Sequence, residues 1–205
     1  MACVEAAGVD GAGLSLARGS SHEPVLGTDA VAEALELTQF TLGEGPCVDA
    51  TTFGVPVLVP DLTNLRDGHA DRWPVFATEA LALGVRAIYA LPLRIGVVAI
   101  GAADLYRRGA APLEGEDLSQ ALTAMDAVAL TFLDDDAPLG EENPDALPLR
   151  SLEVHRAAGM VMIQLGVSIE KALIRLRATA FAEGISLEAL ASDVVRGHRR
   201  FEEVR

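Results

Sequence analysis

The chain of 205 residues contains only two cysteines, Cys3 and Cys47. That is too few for a disulfide framework or a cysteine-rich zinc site, so packing alone must hold the fold. Aromatic residues make up only 4% of the sequence, which leaves the core short of large rings. No stretch reaches the ~18 consecutive apolar residues of a membrane span, and the N-terminus lacks a charged-then-apolar signal pattern. A cytoplasmic location is therefore expected. His22, His69, His155 and His198 are scattered without the paired spacing of a metal site, so neither a metal nor a cofactor is expected. Cations are also scarce: 16 Lys and Arg stand against 30 Asp and Glu, a net charge of −14. Taken whole, that balance argues against a nucleic-acid partner.

The charge is unevenly distributed. Residues 1–150 carry 8 Lys and Arg against 23 Asp and Glu, whereas residues 151–205 carry 8 against 7. Between the two parts, the stretch from Asp134 to Pro144 is acidic and broken by Pro138 and Pro144, the composition of a solvated linker. With half of its residues hydrophobic, the chain has ample material for a core. The expected organisation is a first domain over 1–133, a linker over 134–149 and a small second domain over 150–205.

In the first part, 13–17 and 24–29 read as a hairpin around Gly19-Ser20-Ser21, and Val31, Leu35 and Thr38 predict a helix, followed by a long loop. Val55 to Pro60 is an apolar strand bounded by prolines, which suits a sheet edge. A helix over 72–83 precedes two branched, apolar runs, 85–93 and 95–106, that pivot at Arg94-Ile95-Gly96 as a second hairpin. An amphipathic helix over 114–133 closes the domain. The fold class is α+β with an antiparallel sheet and flanking helices.

The tail is written as three short helices. Val154, Ala158, Val161 and Leu165 make one stripe that stops at Gly166. Ser168 caps a second helix with the stripe Ile169, Ala172, Leu173, Leu176 and Ala180, ended by Gly184. Ser186 opens a third, with the stripe Leu187, Leu190, Ala191, Val194, His198 and Phe201, and helical spacing then puts Arg196, Arg199 and Arg200 together opposite it. Lys171 and Arg175 lie one turn apart, away from the second stripe, and Arg177 flanks it. A unit this small suits an output module better than an enzyme.

These residues resemble an ANTAR domain, the RNA-binding module of bacterial transcription antiterminators. Its pattern is met by Ala157, Gly159, Met160, Val161 and Met162, then by Gly166 to Ser168, Ala172 and Leu176-Arg177, across essentially all of 150–201. Many members carry Lys where this chain has Ala158, so that RNA contact is not carried over. The resemblance implies binding to paired stem-loops in nascent RNA, which suits readout of unpaired loop bases by hydrogen bonds and a few cations. The candidate contacts are Arg156, Lys171, Arg175 and Arg177, with Arg196, Arg199 and Arg200 second.

The first part resembles a GAF domain of the actinobacterial kind over about 12–133. The motif residues are Gln39, Leu42 to Cys47, Pro56-Val57, Trp73-Pro74, Phe76-Ala77, Gly84 to Arg86, Leu91 to Leu93 and Ile100 to Tyr106. GAF domains sense small molecules, contact partner proteins or serve as degenerate platforms, and the fold alone does not choose among these. Phe40, Trp73, Phe76, Tyr89 and Tyr106 are candidate pocket-lining residues, with filling of the core as the alternative.

Catalytic readings fare worse. Cys47 in a Gly/Pro-rich loop would expose a thiol, as in a GAF-fold methionine sulfoxide reductase, but only Cys3 is there to resolve a sulfenate; a small buried hydrophobe is the other reading of Cys47. The expectation is a GAF-ANTAR antitermination regulator. Its rivals are a DNA-binding regulator and a protein-interaction module, and the first of these is disfavoured because Leu187-Glu188-Ala189-Leu190 would open a recognition helix without donors for base edges. On the first tail helix, Leu152, Gly159 and Ile163 make a second apolar face, which predicts a homodimer.

Overall fold

The computed structural model describes residues 4, 7–18, 21–64, 72–132 and 148–202. Cys3, His69, the Gly19-Ser20 turn and the acidic stretch Asp134–Pro144 lie outside the described residues. The chain divides into two compact units, Met1–Pro144 and Asp145–Arg205. Among the described residues no single helix is long and apolar enough to cross a membrane.

The first unit is built on five antiparallel strands, β1 (Gly11–Arg18), β2 (Ser21–Gly27), β3 (Val57–Val59), β4 (Ala87–Ile95) and β5 (Val98–Arg107), in the order β2-β1-β5-β4-β3. The proline-bounded β3 does lie at an edge. The β4–β5 turn falls later than the sequence suggests: Ile95 pairs with Val98, so Gly96-Val97 is a two-residue turn. Gly96, at φ 61°, occupies its first position, where such turns need a left-handed residue.

Among the described residues, four helices cover the sheet: α1 (Ala30–Leu42), α2 (Pro46–Phe53), α3 (Pro74–Ala82) and α4 (Gly115–Thr131). Asp29 caps α1, its carboxylate accepting from the backbone N–H of Val31 at 2.8 Å and of Ala32 at 2.9 Å. Helix α2 occupies what the sequence suggests is a long loop. Pro46 begins it with a preset φ and Gly54 ends it at φ 66°, but eight residues are too few for apolar periodicity to stand out.

Residues from α1, α2 and α3, among them Leu35, Cys47, Ala50, Trp73 and Phe76, pack with Ile88, Ala90, Ala102 and Tyr106 on one face of the sheet. Met125 and Ala129 of α4 pack with Tyr89, Leu91, Leu93 and Leu105 on the other. Both faces of β4 are thus buried, which explains its unbroken apolar run.

The second unit comprises α5 (Pro148–Leu165), α6 (Ile169–Glu183) and α7 (Leu187–Val195). Gly166 and Gly184 turn left-handed at φ 62° and 65°. Ser168 and Ser186 accept from the backbone N–H of Lys171 and Ala189, at 3.4 and 3.1 Å. Val154, Ala158, Val161 and Leu165 of α5 are buried, as are Ala172, Leu173, Leu176 and Ala180 of α6 and Leu187, Leu190, Ala191 and Val194 of α7. Ile169 is not, because it opens α6 at the surface.

The end of the third stripe needs correction. Helix α7 stops at Val195, and Gly197 at φ 76° turns the chain aside. His198 therefore leaves the core, with its side chain 68% exposed and its Nδ1 3.7 Å from the Asp193 carboxylate. Phe201 sits half-buried outside the helix.

Candidate functional site

The turn at Gly197 also rearranges the cations of the tail. Arg196, Arg199 and Arg200 do not share a helix face, because only Arg196 adjoins α7, as its C-cap. The amides of His198 and Arg199 both donate to the carbonyl of Asp193, at 2.8 and 3.1 Å, and Phe201 N–H donates to Gln164 Oε1 at 2.9 Å. This ties the segment down and sets Arg199, Arg200 and Phe201 beside Arg175, Thr179 and Glu183 of α6, around a groove of about 390 Å³. Arg199 pairs with Glu183 there.

Arg156 and Lys171 are exposed on α5 and α6 but do not line the groove, and neither does Arg196. Arg177 is half-buried, and burial pushes its guanidinium pKa below the ordinary value. Gln164 is a positioning residue that the sequence did not suggest. A single amide on the far side of a turn has no periodic signature.

In the first unit, the five aromatic candidates are core. Phe40, Trp73, Phe76, Tyr89 and Tyr106 are all at most 2% exposed. They do not share a pocket: Trp73, Phe76 and Tyr106 pack on one face of the sheet and Tyr89 on the other. Side-chain parity along β4 and β5 separates them. Their polar ends are used. Trp73 Nε1 donates to Asp49 at 3.0 Å, Tyr106 to Asp29 at 2.9 Å, and Tyr89 to the carbonyl of Ala111. Burial, and then the hydrogen bond to Asp29, push the Tyr106 hydroxyl pKa up to about 12.

Between the sheet and helices α1 and α2 lies a polar cluster instead, made of Ser15, Glu36, Gln39, Cys47 and Asp104. Ser15 Oγ donates to Glu36 Oε2, and Gln39 Nε2 donates to Asp104 Oδ2. Gln39 Oε1 accepts the backbone N–H of Cys47 at 2.8 Å. Gly13 on β1 and Gly45 before α2 leave the room, since a Cβ at either would collide with the side chain of Glu36 or Gln39. Burial, and then the charge of Asp104, push the Glu36 carboxyl well above the carboxylate range; burial lifts Asp104 to about 6.

Cys47 is therefore not an exposed loop thiol. It is the second residue of α2 and fully buried, and burial and the neighbouring carboxylates push its pKa well up. A thiol held protonated is a poor nucleophile. The sequence did carry a signal for the cluster. Glu36 and Gln39 fall within the buried set Ala32, Leu35, Glu36, Gln39 and Phe40 of α1, and Asp104 interrupts the apolar run of β5.

No family model matches the chain, and no curated protein matches it. Solved structures do. A domain ascribed to a two-component sensor histidine kinase from Sinorhizobium meliloti superposes with a TM-score of 0.51 at 15% identity, over 64% of this chain and 83% of that one. The GAF domain of an Acinetobacter phosphoenolpyruvate-protein phosphotransferase gives 0.48 at 11%, covering 69% and 81%. That of the Coxiella burnetii phosphotransferase gives 0.45 at 14%, covering 62% and 73%. At such identities the likeness is one of fold alone, and the fold of the first unit is α+β: an antiparallel sheet with flanking helices.

Proposed function

We propose that this chain is a signal-responsive RNA-binding regulator of transcription antitermination: a GAF sensor joined to an ANTAR head that binds tandem stem-loops in nascent RNA. The observation that carries the reading is the groove of the second unit, where Arg175, Arg199 and Arg200 converge beside the half-buried ring of Phe201. Glu183, paired with Arg199, and Glu202 also line the groove, so the footprint is a net excess of one cation, with Arg175 and Arg200 as its cations other than the paired Arg199, next to an aromatic face on which an unpaired base can stack. The exposed Lys171 extends the footprint by one helical turn. The tail's match to the ANTAR pattern supports the choice of RNA and of antitermination.

Two rivals remain to be separated. A DNA reader is disfavoured because Leu187 and Leu190, at the start of α7, are buried and no cation precedes Arg196 on that helix. A protein-binding head is favoured by Ile174 and Phe181, exposed seven residues apart on α6. The deciding experiment is selection by the full chain from a stem-loop library with randomised loops, followed by binding of the selected RNA, the same sequence as duplex DNA, and its salt dependence. Tight, salt-sensitive binding to RNA alone supports the reading, and equal affinity for duplex DNA overturns it. A homodimer, with α5 at its seam, completes the proposal by presenting two heads to two loops.

A further inference from the structure

The polar cluster of the first unit has the form of a ligand set. One oxygen from each of Glu36 and Asp104 and the Sγ of Cys47 lie within 4.8 Å of one another, all three residues fully buried. In a tetrahedral site with bonds of about 2.0–2.3 Å, ligand atoms stand roughly 3.5 Å apart, so closing on one ion asks for at most about an ångström more approach between any two of them. Their hydrogen bonding is one-sided. Ser15 holds Oε2 of Glu36 and Gln39 holds Oδ2 of Asp104, while Oε1 and Oδ1, buried, have no partner from outside the pair, the two carboxyl groups hydrogen-bonding only to each other. Metal-binding carboxylates are held in this way, one oxygen oriented by a neutral donor and the other left for the ion.

As they stand, the two carboxyls can lie side by side in the interior only by holding a proton between them. Among the described residues, the groups that act on the three ligands are Ser15, Gln39, Thr51 and the ligands themselves, and none of them is a cation. A divalent ion held by all three ligands can take the place of that proton.

We infer that Glu36, Cys47 and Asp104 bind one divalent transition-metal ion of borderline softness, zinc or a similar ion, inside the sensor domain. The thiolate disfavours magnesium and calcium, which prefer oxygen ligands throughout. Three protein ligands leave a fourth position for an exogenous ligand, so the ion would be the point at which the domain meets its signal. This inference stands independently of RNA binding by the tail.

The test uses the full chain with Cys3→Ser, so that Cys47 is the only thiol. After treatment with a chelator and its removal, the protein is titrated with Co²⁺ while the near-ultraviolet thiolate-to-cobalt charge-transfer band is followed. The expected result is a band that saturates at one equivalent, is displaced by Zn²⁺ and is missing from a Cys47→Ala variant. Glu36→Gln and Asp104→Asn should each weaken Co²⁺ binding about tenfold or more, with folding checked by near-ultraviolet circular dichroism. No thiolate band in the folded Cys3→Ser protein overturns the inference even if every other variant misfolds. Undiminished affinity in folded Glu36→Gln and Asp104→Asn overturns it as well.

Discussion

Gln39 and Asp104 are 65 residues apart in sequence, yet the amide of the first donates to the buried carboxylate of the second. The other end of the same amide accepts the N–H of Cys47 at 2.8 Å. One side chain thus joins α1, the first turn of α2 and the middle of β5.

Gln39→Leu keeps most of the volume and removes both bonds, leaving the Cys47 amide and Asp104 Oδ2 without a partner. The expected cost is roughly 2–4 kcal/mol, the desolvation penalties of two orphaned groups. Urea denaturation followed by Trp73 fluorescence reports this unit alone. A midpoint equal to wild type would show that water replaces the amide.

A pH dependence follows from the raised carboxyls. With its folded value near 6 against an ordinary 3.8, Asp104 binds more protons in the folded than in the unfolded state between those limits. Its contribution to stability is fully present below pH 3.8 and is lost as the pH rises through about 6; Glu36, also raised, acts in the same direction. Chelator-treated protein should therefore lose stability relative to Asp104→Asn as the pH goes from about 4 to 7. Parallel melting-temperature curves for the two proteins would refute this.

For the tail, replacing Arg175 and Arg200 together by Gln should weaken stem-loop binding and lower the slope of log affinity against log salt by about 1.4–1.8. Arg177→Gln, at a half-buried position, should leave that slope unchanged and act on the melting temperature instead. Gel-shift titrations at four salt concentrations separate the two outcomes.

Gly166 ends α5 at φ 62°, and nothing lies within 4 Å of where a Cβ would be. The cost of Gly166→Val is then purely conformational, about 1–2 kcal/mol from the left-handed backbone of a β-branched residue. Thermal unfolding followed at 222 nm checks it, with Gly166→Asn expected to cost less.

On α5, Ile163 is 78% exposed and Leu152 46%, on the side away from the buried stripe. If this face is the seam of a homodimer, Ile163→Glu raises the dimer dissociation constant at least tenfold in sedimentation equilibrium. A wild-type monomer at micromolar concentration that still binds tandem stem-loops tightly would refute the dimer.

The caps of the tail were legible residue by residue. Gly166, Ser168, Gly184 and Ser186 act on backbone groups within about four positions, so their neighbours in sequence are their neighbours in space. The same local reasoning failed at Gly197, where helical spacing was carried through a residue that ends the helix, and so His198, Arg199 and Arg200 were placed on the wrong faces. It also missed α2, whose eight residues bury Pro46, Cys47, Ala50 and Thr51 without a readable period.

Sequence by itself determined the strands, most helix ends, the α+β class and the uneven charge, because each depends on spacing along the chain. Only the tertiary structure decided that Tyr89 faces away from Trp73, that Arg175 meets Arg199 and Arg200, and that Ser15, Glu36, Gln39, Cys47 and Asp104 form one buried cluster. Those meetings depend on sheet order and on the turn at Gly197, which bring together residues that no period connects. A polar side chain in an apolar stripe marks a position where a partner is needed; which partner it finds is settled by how the elements pack.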